Sequence, residues 1–292
     1  METAIPQTVR SHNKKRSTHV NTTNTSVAER EMISTRQSRG TDPPRFGRVD
    51  SSCPITSAAQ RQRDQLPDFA PLMEEIEIAG WSSHRRQLSA NFHDWLLLGD
   101  GRMLVTVGQS FGGSTPDSIE GALVAQAAWS AVRAHALHTR DAGILLSLAA
   151  RSLWPIPGAA ANASVAVALV DSIGGRASVA LAGDCLLWRV RAATFDQLLD
   201  HQPALGVVSD FSYRTHEVEL SLRERLLLVA DNPEQRTAKM LAALASGFSQ
   251  LDAETHRRMT ANDTLSFARG HFERASGAEA CATTSIAAIR RR

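Results

Sequence analysis

The segment Leu88–Gly113 constrains the fold of this chain more than any other, because a hairpin pattern leads directly into a glycine-rich loop. Two apolar runs, residues 91–98 and 102–108, flank the turn Gly99-Asp100-Gly101, which is a typical hairpin signal. The second run continues into Gly112-Gly113 and then into a segment with helical spacing. Strands that end in such a loop commonly present backbone and acidic groups to phosphate or metal ions. We therefore expect a functional site at the end of this hairpin.

The composition excludes several classes of protein. The chain has 292 residues, of which 42% are hydrophobic and 21% charged, as in an ordinary globular protein. Its formal net charge of +2 comes from interspersed charges without a basic stripe, so we expect no nucleic-acid partner. No apolar run reaches the roughly 20 residues of a membrane span, and the N-terminus lacks the apolar core of a signal peptide. We expect no membrane contact and a cytoplasmic location.

The three cysteines, Cys53, Cys185 and Cys281, are far apart and show no CxxC spacing. Neither a structural zinc site nor a disulfide framework is therefore expected.

Residues 1–66 differ in composition from the rest of the chain. They are rich in Ser, Thr, Asn, Arg and Gln and show no helical or strand periodicity, so we expect a disordered N-terminal tail. The basic cluster Lys14-Lys15-Arg16 leaves open a regulatory or docking role for this tail, beside that of a plain solvated extension. We predict that residues 67–292 form a single domain.

Within that domain, hairpins alternate with two blocks of helices. Strands are predicted at 74–81, 91–98, 102–108, 163–170, 177–190, 212–220, 226–230 and 285–289, and helices at 114–140, 142–153, 234–247, 251–259 and 263–275. Sequential hairpins favour antiparallel sheets over a regular βαβ alternation. We therefore predict an α+β fold in which two antiparallel sheets are sandwiched between helices.

An ordered series of motifs resembles the metal-dependent protein phosphatases of the PPM (type 2C) class, in the bacterial branch of the sporulation stage II E and sigma-regulator phosphatases. The resemblance covers about residues 74–290. It rests on Ala79-Gly80-Trp81, Ser89-Ala90-Asn91-Phe92-His93-Asp94-Trp95, Leu98-Gly99-Asp100-Gly101-Arg102, the 108–113 loop, Ala122-Leu123-Val124-Ala125, Ala182-Gly183-Asp184, Pro203-Ala204-Leu205-Gly206, the 226–232 segment and the 282–290 segment. It implies the four-layer α-β-β-α sandwich of this class.

The resemblance also implies a catalytic centre in which acidic side chains hold two Mg²⁺ or Mn²⁺ ions and activate a water molecule. By position, the metal ligands correspond to Asn91, Gln109, Asp231 and the pair Ala282-Thr283, so Asp231 alone keeps a carboxylate. Neutral ligands do not offset the repulsion between two divalent cations. We therefore expect no metal pair unless other acids replace these ligands, and we assign no catalytic residue.

Other residues lie near the same loops. Asp94 is a candidate metal ligand or a structural hydrogen-bonding residue, and Asp100 is a candidate ligand or a plain turn residue. Asp184 replaces a histidine of the family beside the expected pocket, to which Gly112 and Gly113 also belong. Asp231 is a metal-ligand candidate, but it also suits the N-cap of the helix predicted from residue 234.

Three hypotheses follow. The first is a catalytically impaired pseudophosphatase that binds a phosphoprotein or a component of a kinase and anti-sigma signalling circuit. The second is a divergent active serine/threonine phosphatase that uses Asp231 and Asp94, with one metal ion or with Arg85 or Arg86 carrying charge. The third is a sandwich domain with an inactive cleft, in which the tail carries the function. The missing metal-binding charge favours the first.

Overall fold

A computed structural model of the chain describes residues 54–83, 88–111, 118–154, 162–171, 173–191, 194–231, 238–280 and 284–292. These residues contain six helices: α1 (Pro54–Asp64), α2 (Ile119–Ala136), α3 (Ala142–Leu153), α4 (Ala238–Ser249), α5 (Ala253–Arg258) and α6 (Ala261–Ala280). They also contain ten strands: β1 (Ile76–Ser82), β2 (Asn91–Leu97), β3 (Arg102–Phe111), β4 (Asn162–Asp171), β5 (Arg176–Ala182), β6 (Leu186–Val190), β7 (Phe195–Gln197), β8 (His216–Glu219), β9 (Arg225–Ala230) and β10 (Ser285–Arg291).

The strands form two antiparallel sheets of five strands each. The β1 sheet has the order β1-β10-β9-β6-β7, and the β2 sheet has the order β2-β3-β4-β5-β8. Helices α2 and α3 pack on the outer face of the β2 sheet, and α4 and α6 pack near the outer face of the β1 sheet. The predicted α+β sandwich of two antiparallel sheets between helices is confirmed.

Three layers of apolar side chains hold the sandwich together. The central layer lies between the sheets, where alternate residues of β3 such as Met103, Val105 and Val107 meet Leu226 and Leu228 of β9. Two outer layers join each sheet to its helices. Because successive residues of a strand face opposite sides, each central strand contributes to two layers. None of the helices in the described ranges is both long enough and apolar enough to span a membrane.

Helix α1 lies within the segment that the sequence assigns to the N-terminal tail. The sequence indicated no regular structure before residue 67, yet residues 54–64 are helical and Ala59 is buried. The carboxamide of Gln62 exchanges two hydrogen bonds with the backbone of Ser89, at 2.6 and 2.8 Å. Polar tertiary contacts hold this helix in place. Because it has no continuous apolar stripe, the sequence pattern did not predict it. Residues 1–53 lie outside the described part of the chain.

The predicted strand 177–190 is two strands that belong to different sheets. Strand β5 ends at Ala182 in the β2 sheet, and β6 starts at Leu186 in the β1 sheet. Between them Gly183 has a φ of +70°, and a Cβ built on it would lie 2.1 Å from the Ser164 hydroxyl oxygen. Gly183-Asp184 interrupts the apolar run, but a glycine inside a strand also indicates a bulge or a close backbone approach, so the sequence did not divide the strand. The three-residue strand β7 was also missed, and β8 is shorter than predicted.

A buried aspartate joins β2 to α2. Phe92 stacks on Trp129 with ring centroids 5.9 Å apart, and the Asp94 carboxylate accepts hydrogen bonds of 2.7 Å from the Trp129 indole and from Arg133. Burial raises the pKa of the Asp94 carboxyl above its ordinary value, against the lowering effect of these two partners. A raised acidic pKa means that this group lowers the stability of the fold as the pH rises through its titration.

We predict that Gly183→Ala lowers the free energy of unfolding by about 2–4 kcal/mol, because the new methyl group meets Ser164 and the backbone keeps a positive φ. Urea denaturation measures the change. The control is Gly99→Ala, since a Cβ there meets no atom within 4 Å. Equal stability of the two variants would contradict the strain assigned to the crossing.

We predict that Arg133→Met destabilises the protein by about 1–2 kcal/mol at neutral pH, a value reduced because the arginine side chain is 40% exposed. Without Arg133 the pKa of the Asp94 carboxyl rises further, so the native state takes up its proton at a higher pH. The loss should therefore shrink on acidification toward about pH 5. Denaturation across this pH range measures it, with Arg151→Met of the exposed Arg151–Asp210 pair as the control. A loss independent of pH would show that Asp94 is not involved.

Candidate functional site

Asn91 and Gln109 lie directly opposite each other where β2 begins and β3 nears its end. The Ser110 amide donates to the Ala90 carbonyl at 2.8 Å, so residues 90 and 110 form a hydrogen-bonded pair and residues 91 and 109 form the closer non-hydrogen-bonded pair. Both side chains share the face of the central apolar layer, since Val105 and Val107 belong to that layer. Two positions predicted from the sequence are therefore neighbours between the sheets.

The Asn91 side chain connects the two sheets. Its amide nitrogen Nδ2 donates to the carbonyl oxygen of Ser83 at 2.9 Å and to that of Thr284 at 3.1 Å, and its Oδ1 accepts from the Ser89 hydroxyl. Ser83 follows β1 and Thr284 precedes β10, so both carbonyls belong to the ends of the other sheet. Asn91 is 2% exposed. The amide thus donates to a part-buried carbonyl, that of Ser83, and to the carbonyl of Thr284, which also accepts from the Ser83 amide at 2.9 Å.

Asp231 lies at the same end of the sandwich as Asn91, directly after β9. It follows Ala230 at the end of that strand and is 3% exposed, and its carboxylate accepts a hydrogen bond of 2.9 Å from the Thr284 hydroxyl. Thr284 therefore contacts both Asn91 and Asp231. The alternative of an N-cap for a helix from residue 234 lies outside the described residues, since 232–237 are not among them.

A second polar group in this region was not predicted. The Ser82 hydroxyl is 2.9 Å from Nδ1 of His93 and 2.6 Å from the Ser285 hydroxyl, and all three residues are largely buried. A Cβ on Gly80 would lie 2.6 Å from the His93 ring, so the absence of a side chain there makes room for the imidazole. His93 is two residues from Asn91 on β2 and faces the same side, which is the sequence signal that could have identified it.

Gln109 is 2% exposed, and its carbonyl oxygen Oε1 makes no hydrogen bond to any described residue. A buried carbonyl without a donor typically costs about 1–3 kcal/mol. The amide hydrogens of its neighbour Asn91 are already bound to Ser83 and Thr284. The end of the sandwich therefore offers one neutral acceptor beside the Asn91 carboxamide.

The other candidates lie apart from this point. Asp94 lies on the opposite face of β2 from Asn91, where its carboxylate accepts hydrogen bonds from Trp129 and Arg133 of α2. Asp184 is about half exposed, with its carboxylate 3.6 Å from Nδ1 of His201. Asp100 pairs with Arg102 and Arg140 in the hairpin turn. Gly112, Gly113, Ala282, Thr283, Arg85 and Arg86 fall outside the described residues.

This set of donors does not fit two Mg²⁺ or Mn²⁺ ions. Among the described residues at the positions implied by the resemblance, Asp231 supplies a carboxylate while Asn91 and Gln109 are neutral. Hard divalent cations prefer anionic oxygen ligands, and Asn91 presents amide hydrogens toward the carbonyls that surround it. Within the described ranges, no group of three His, Cys, Asp or Glu residues is arranged to hold a metal ion.

Known structures share this architecture. The SiaA PP2C domain of Pseudomonas aeruginosa superposes with a TM-score of 0.60 at 18% identity, covering 82% of this chain and 95% of that one. The PP2C phosphatase domain with a regulatory fragment of SpoIIE from Bacillus subtilis gives a TM-score of 0.59 at 10% identity, over 75% of this chain and 64% of that one. The RsbU and RsbW domains of a Mycobacterium tuberculosis protein give 0.56 at 19% identity, over 76% and 61%. At these identities the likeness shows a common fold.

The sequence itself carries a family signal. No curated protein sequence matches the chain significantly. The model of the family described as Stage II sporulation protein E (SpoIIE) matches residues 99–266, which is more than half of the chain. This match runs from the hairpin turn through the crossing at Gly183 and past Asp231 into α6, so it includes the strands that carry Gln109 and Asp231. The chain therefore belongs to the Stage II sporulation protein E (SpoIIE) family and has a PP2C-type phosphatase-like domain.

Proposed function

We propose that this protein is a pseudophosphatase that keeps the PP2C-type scaffold, lacks two-metal hydrolysis and acts in signalling by binding a partner protein. The observation that carries the proposal is the Asn91 carboxamide, which donates both of its hydrogens to the carbonyls of Ser83 and Thr284. A metal ligand at this position must offer an oxygen with negative charge. Asn91 instead supplies positive hydrogens to the oxygens around it.

The Asn91 amide donates hydrogen bonds to the two carbonyl oxygens that would otherwise surround a metal-binding carboxylate. If residue 91 were an aspartate in the same rotamer, its oxygen would face two carbonyl oxygens, and a cation would be needed between them. With asparagine the two N–H groups donate to the two carbonyls and Oδ1 accepts from the Ser89 hydroxyl, so these atoms are paired without metal. Phosphoester hydrolysis by the family mechanism requires the metal-activated water, and Asp231 alone does not replace it.

The proposed partner is a phosphoprotein or a kinase or anti-sigma type signalling protein. Support comes from the family and from structural neighbours whose names place them beside regulatory domains, such as the RsbU and RsbW domains and the SpoIIE phosphatase with part of its regulatory domain. A scaffold that keeps its fold while its ligand positions become neutral is suited to recognition without turnover.

We expect calorimetric titration of Mn²⁺ and Mg²⁺ into the full chain to show no binding tighter than about millimolar, because anionic ligands are missing. Hydrolysis of para-nitrophenyl phosphate should not depend on added metal, and EDTA should leave the thermal unfolding temperature unchanged. Tight binding together with metal-dependent turnover would overturn the proposal and favour the divergent active phosphatase, with Asp231 at its centre.

The double variant Asn91→Asp with Gln109→Asp should bind Mn²⁺, because it restores two carboxylates at the ligand positions. We expect a loss of about 1–3 kcal/mol without metal, because a carboxylate oxygen replaces the Asn91 donor to the Ser83 and Thr284 carbonyls, and partial recovery of stability when Mn²⁺ is added. Thermal unfolding with and without Mn²⁺ measures both effects. Asn262→Asp, at an exposed position of α6, is the control. A double variant indifferent to Mn²⁺ would show that these positions do not form the ligand site.

A further inference from the structure

Two side-chain carbonyl oxygens are buried without a hydrogen-bond donor where β3 ends and β4 begins. One is Oε1 of Gln109, a residue that is 2% exposed, and the other is Oδ1 of Asn162, the first residue of β4. Neither oxygen accepts a hydrogen bond from any residue that the structure describes. A buried acceptor without a donor is unfavourable, so two of them on neighbouring strands point to a ligand that supplies the missing interaction.

The strand register places these two side chains beside each other. In the antiparallel pairing of β3 with β4, Gln109 lies opposite Ser164, and Asn162 is two positions earlier in β4. Val107 of β3 and Ala166 of β4 belong to the apolar layer between the sheets. Residues an even number of positions apart on a strand share a face, so Gln109 and Asn162 both lie on the inner face. They are diagonal neighbours, a separation that two amide side chains can span to reach one small ion.

The polar groups next to these oxygens serve other partners. Asn91, which lies opposite Gln109 on β2, gives its amide hydrogens to two carbonyls at the ends of the other sheet. The hydroxyl oxygen of Ser164 accepts a hydrogen bond of 3.0 Å from the Asp184 amide. Within the described part of the chain, the two orphaned oxygens therefore lack a hydrogen or a positive charge.

The charge at this end of the sandwich limits the ligand to a single positive charge. Asp231, which is 3% exposed and bound to the Thr284 hydroxyl, supplies the carboxylate among the described residues at the ligand positions. One carboxylate and two neutral oxygens balance one monovalent cation, whereas two divalent cations would leave a large excess of buried positive charge. Neutral carbonyl oxygens can replace the hydration shell of a monovalent ion, as they do in potassium channels.

We propose that Gln109, Asn162 and Asp231 form a site for one monovalent cation, either a free alkali ion or the ammonium group of a lysine side chain. In both cases the two amide oxygens receive the positive charge and the carboxylate balances it. The inference goes beyond the proposed function, because a protein without divalent ions can still bind a monovalent one. Titration with Mn²⁺ tests the proposed function and a series of monovalent salts tests this site, so either can fail alone.

The first measurement is the thermal unfolding temperature of the full chain in chloride salts of equal ionic strength. The reference is tetramethylammonium chloride, whose cation is bulky and carries no N–H group. We expect potassium, sodium or methylammonium chloride at about 100 mM to raise the unfolding temperature by at least about 3 °C, as a dissociation constant near about 10 mM would give. Equal unfolding temperatures in all four salts would overturn the proposal.

The same series separates the two sources of the cation. A larger shift with potassium or sodium than with methylammonium identifies a free alkali ion, and a larger shift with methylammonium identifies a lysine-type ammonium group. Replacing chloride by gluconate in the effective salt should leave the shift unchanged. A shift that follows the anion instead would mean that amide hydrogens face the ligand, and it would overturn the proposal.

The residues are tested by Gln109→Leu, which removes one orphaned oxygen and keeps a side chain of similar size. We expect this variant to lose the cation-dependent shift and to unfold in tetramethylammonium chloride at the same or a higher temperature than the unaltered protein. Asn162→Ala, on the neighbouring strand, should also lose the shift and tests the site independently. The matched control is Gln65→Leu, at an exposed position after α1, which should keep the full shift. A full shift in both site variants, or an equal loss in the control, would overturn the proposal.

Discussion

The sandwich depends on how the two sheets are joined at the end where β1, β2, β9 and β10 meet. The apolar layer between the sheets supplies most of the burial, but it cannot satisfy the backbone carbonyls that emerge where β1 ends and β10 begins. Asn91 does so with one carboxamide. The amide adds a donor to the half-buried Ser83 carbonyl and a second donor to the Thr284 carbonyl, which also accepts from the Ser83 amide, so its hydrogen bonds tie the ends of both strands to β2. The proposed loss of metal chemistry rests on the same contact, in which Asn91 directs its amide hydrogens toward the two carbonyls.

The two faces of β2 make contacts with different layers of the molecule. On one face of β2, Asn91 and His93 bind groups of the opposite sheet, and on the other face Phe92 and Asp94 bind α2 through Trp129. Alternation along a single strand thus connects three layers of the molecule. This explains why Asn91 and Asp94, three residues apart, have different environments. Asn91 lies between the sheets, whereas Asp94 packs against α2 and its carboxyl has a raised pKa.

The periodic elements were predictable from residue patterns. The hairpin of β2 and β3, the helix α3 with its Asp141 N-cap and the strand β9 agree with the structure because each is long, regular and bounded by a turn or cap residue. Helix α1 and strand β7 were missed, since tertiary contacts hold them where local pattern does not. The split at Gly183 was missed for another reason. The interruption Gly183-Asp184 has the same appearance in the sequence whether the chain makes a bulge in one sheet or crosses to the other.

For the site, the sequence by itself determined which chemical groups are available: amides at residues 91 and 109, a carboxylate at 231, and too little negative charge for a pair of divalent cations. Side-chain identity is local information, and charge can be counted without coordinates. The tertiary structure alone decided which of these groups meet. Thr284 brings Asn91 and Asp231 together although they are 140 positions apart, His93 reaches Ser82 and Ser285, and Asp94 is turned away. Such contacts depend on strand register and on which face of a sheet is covered, and both are set by the packing of the whole chain.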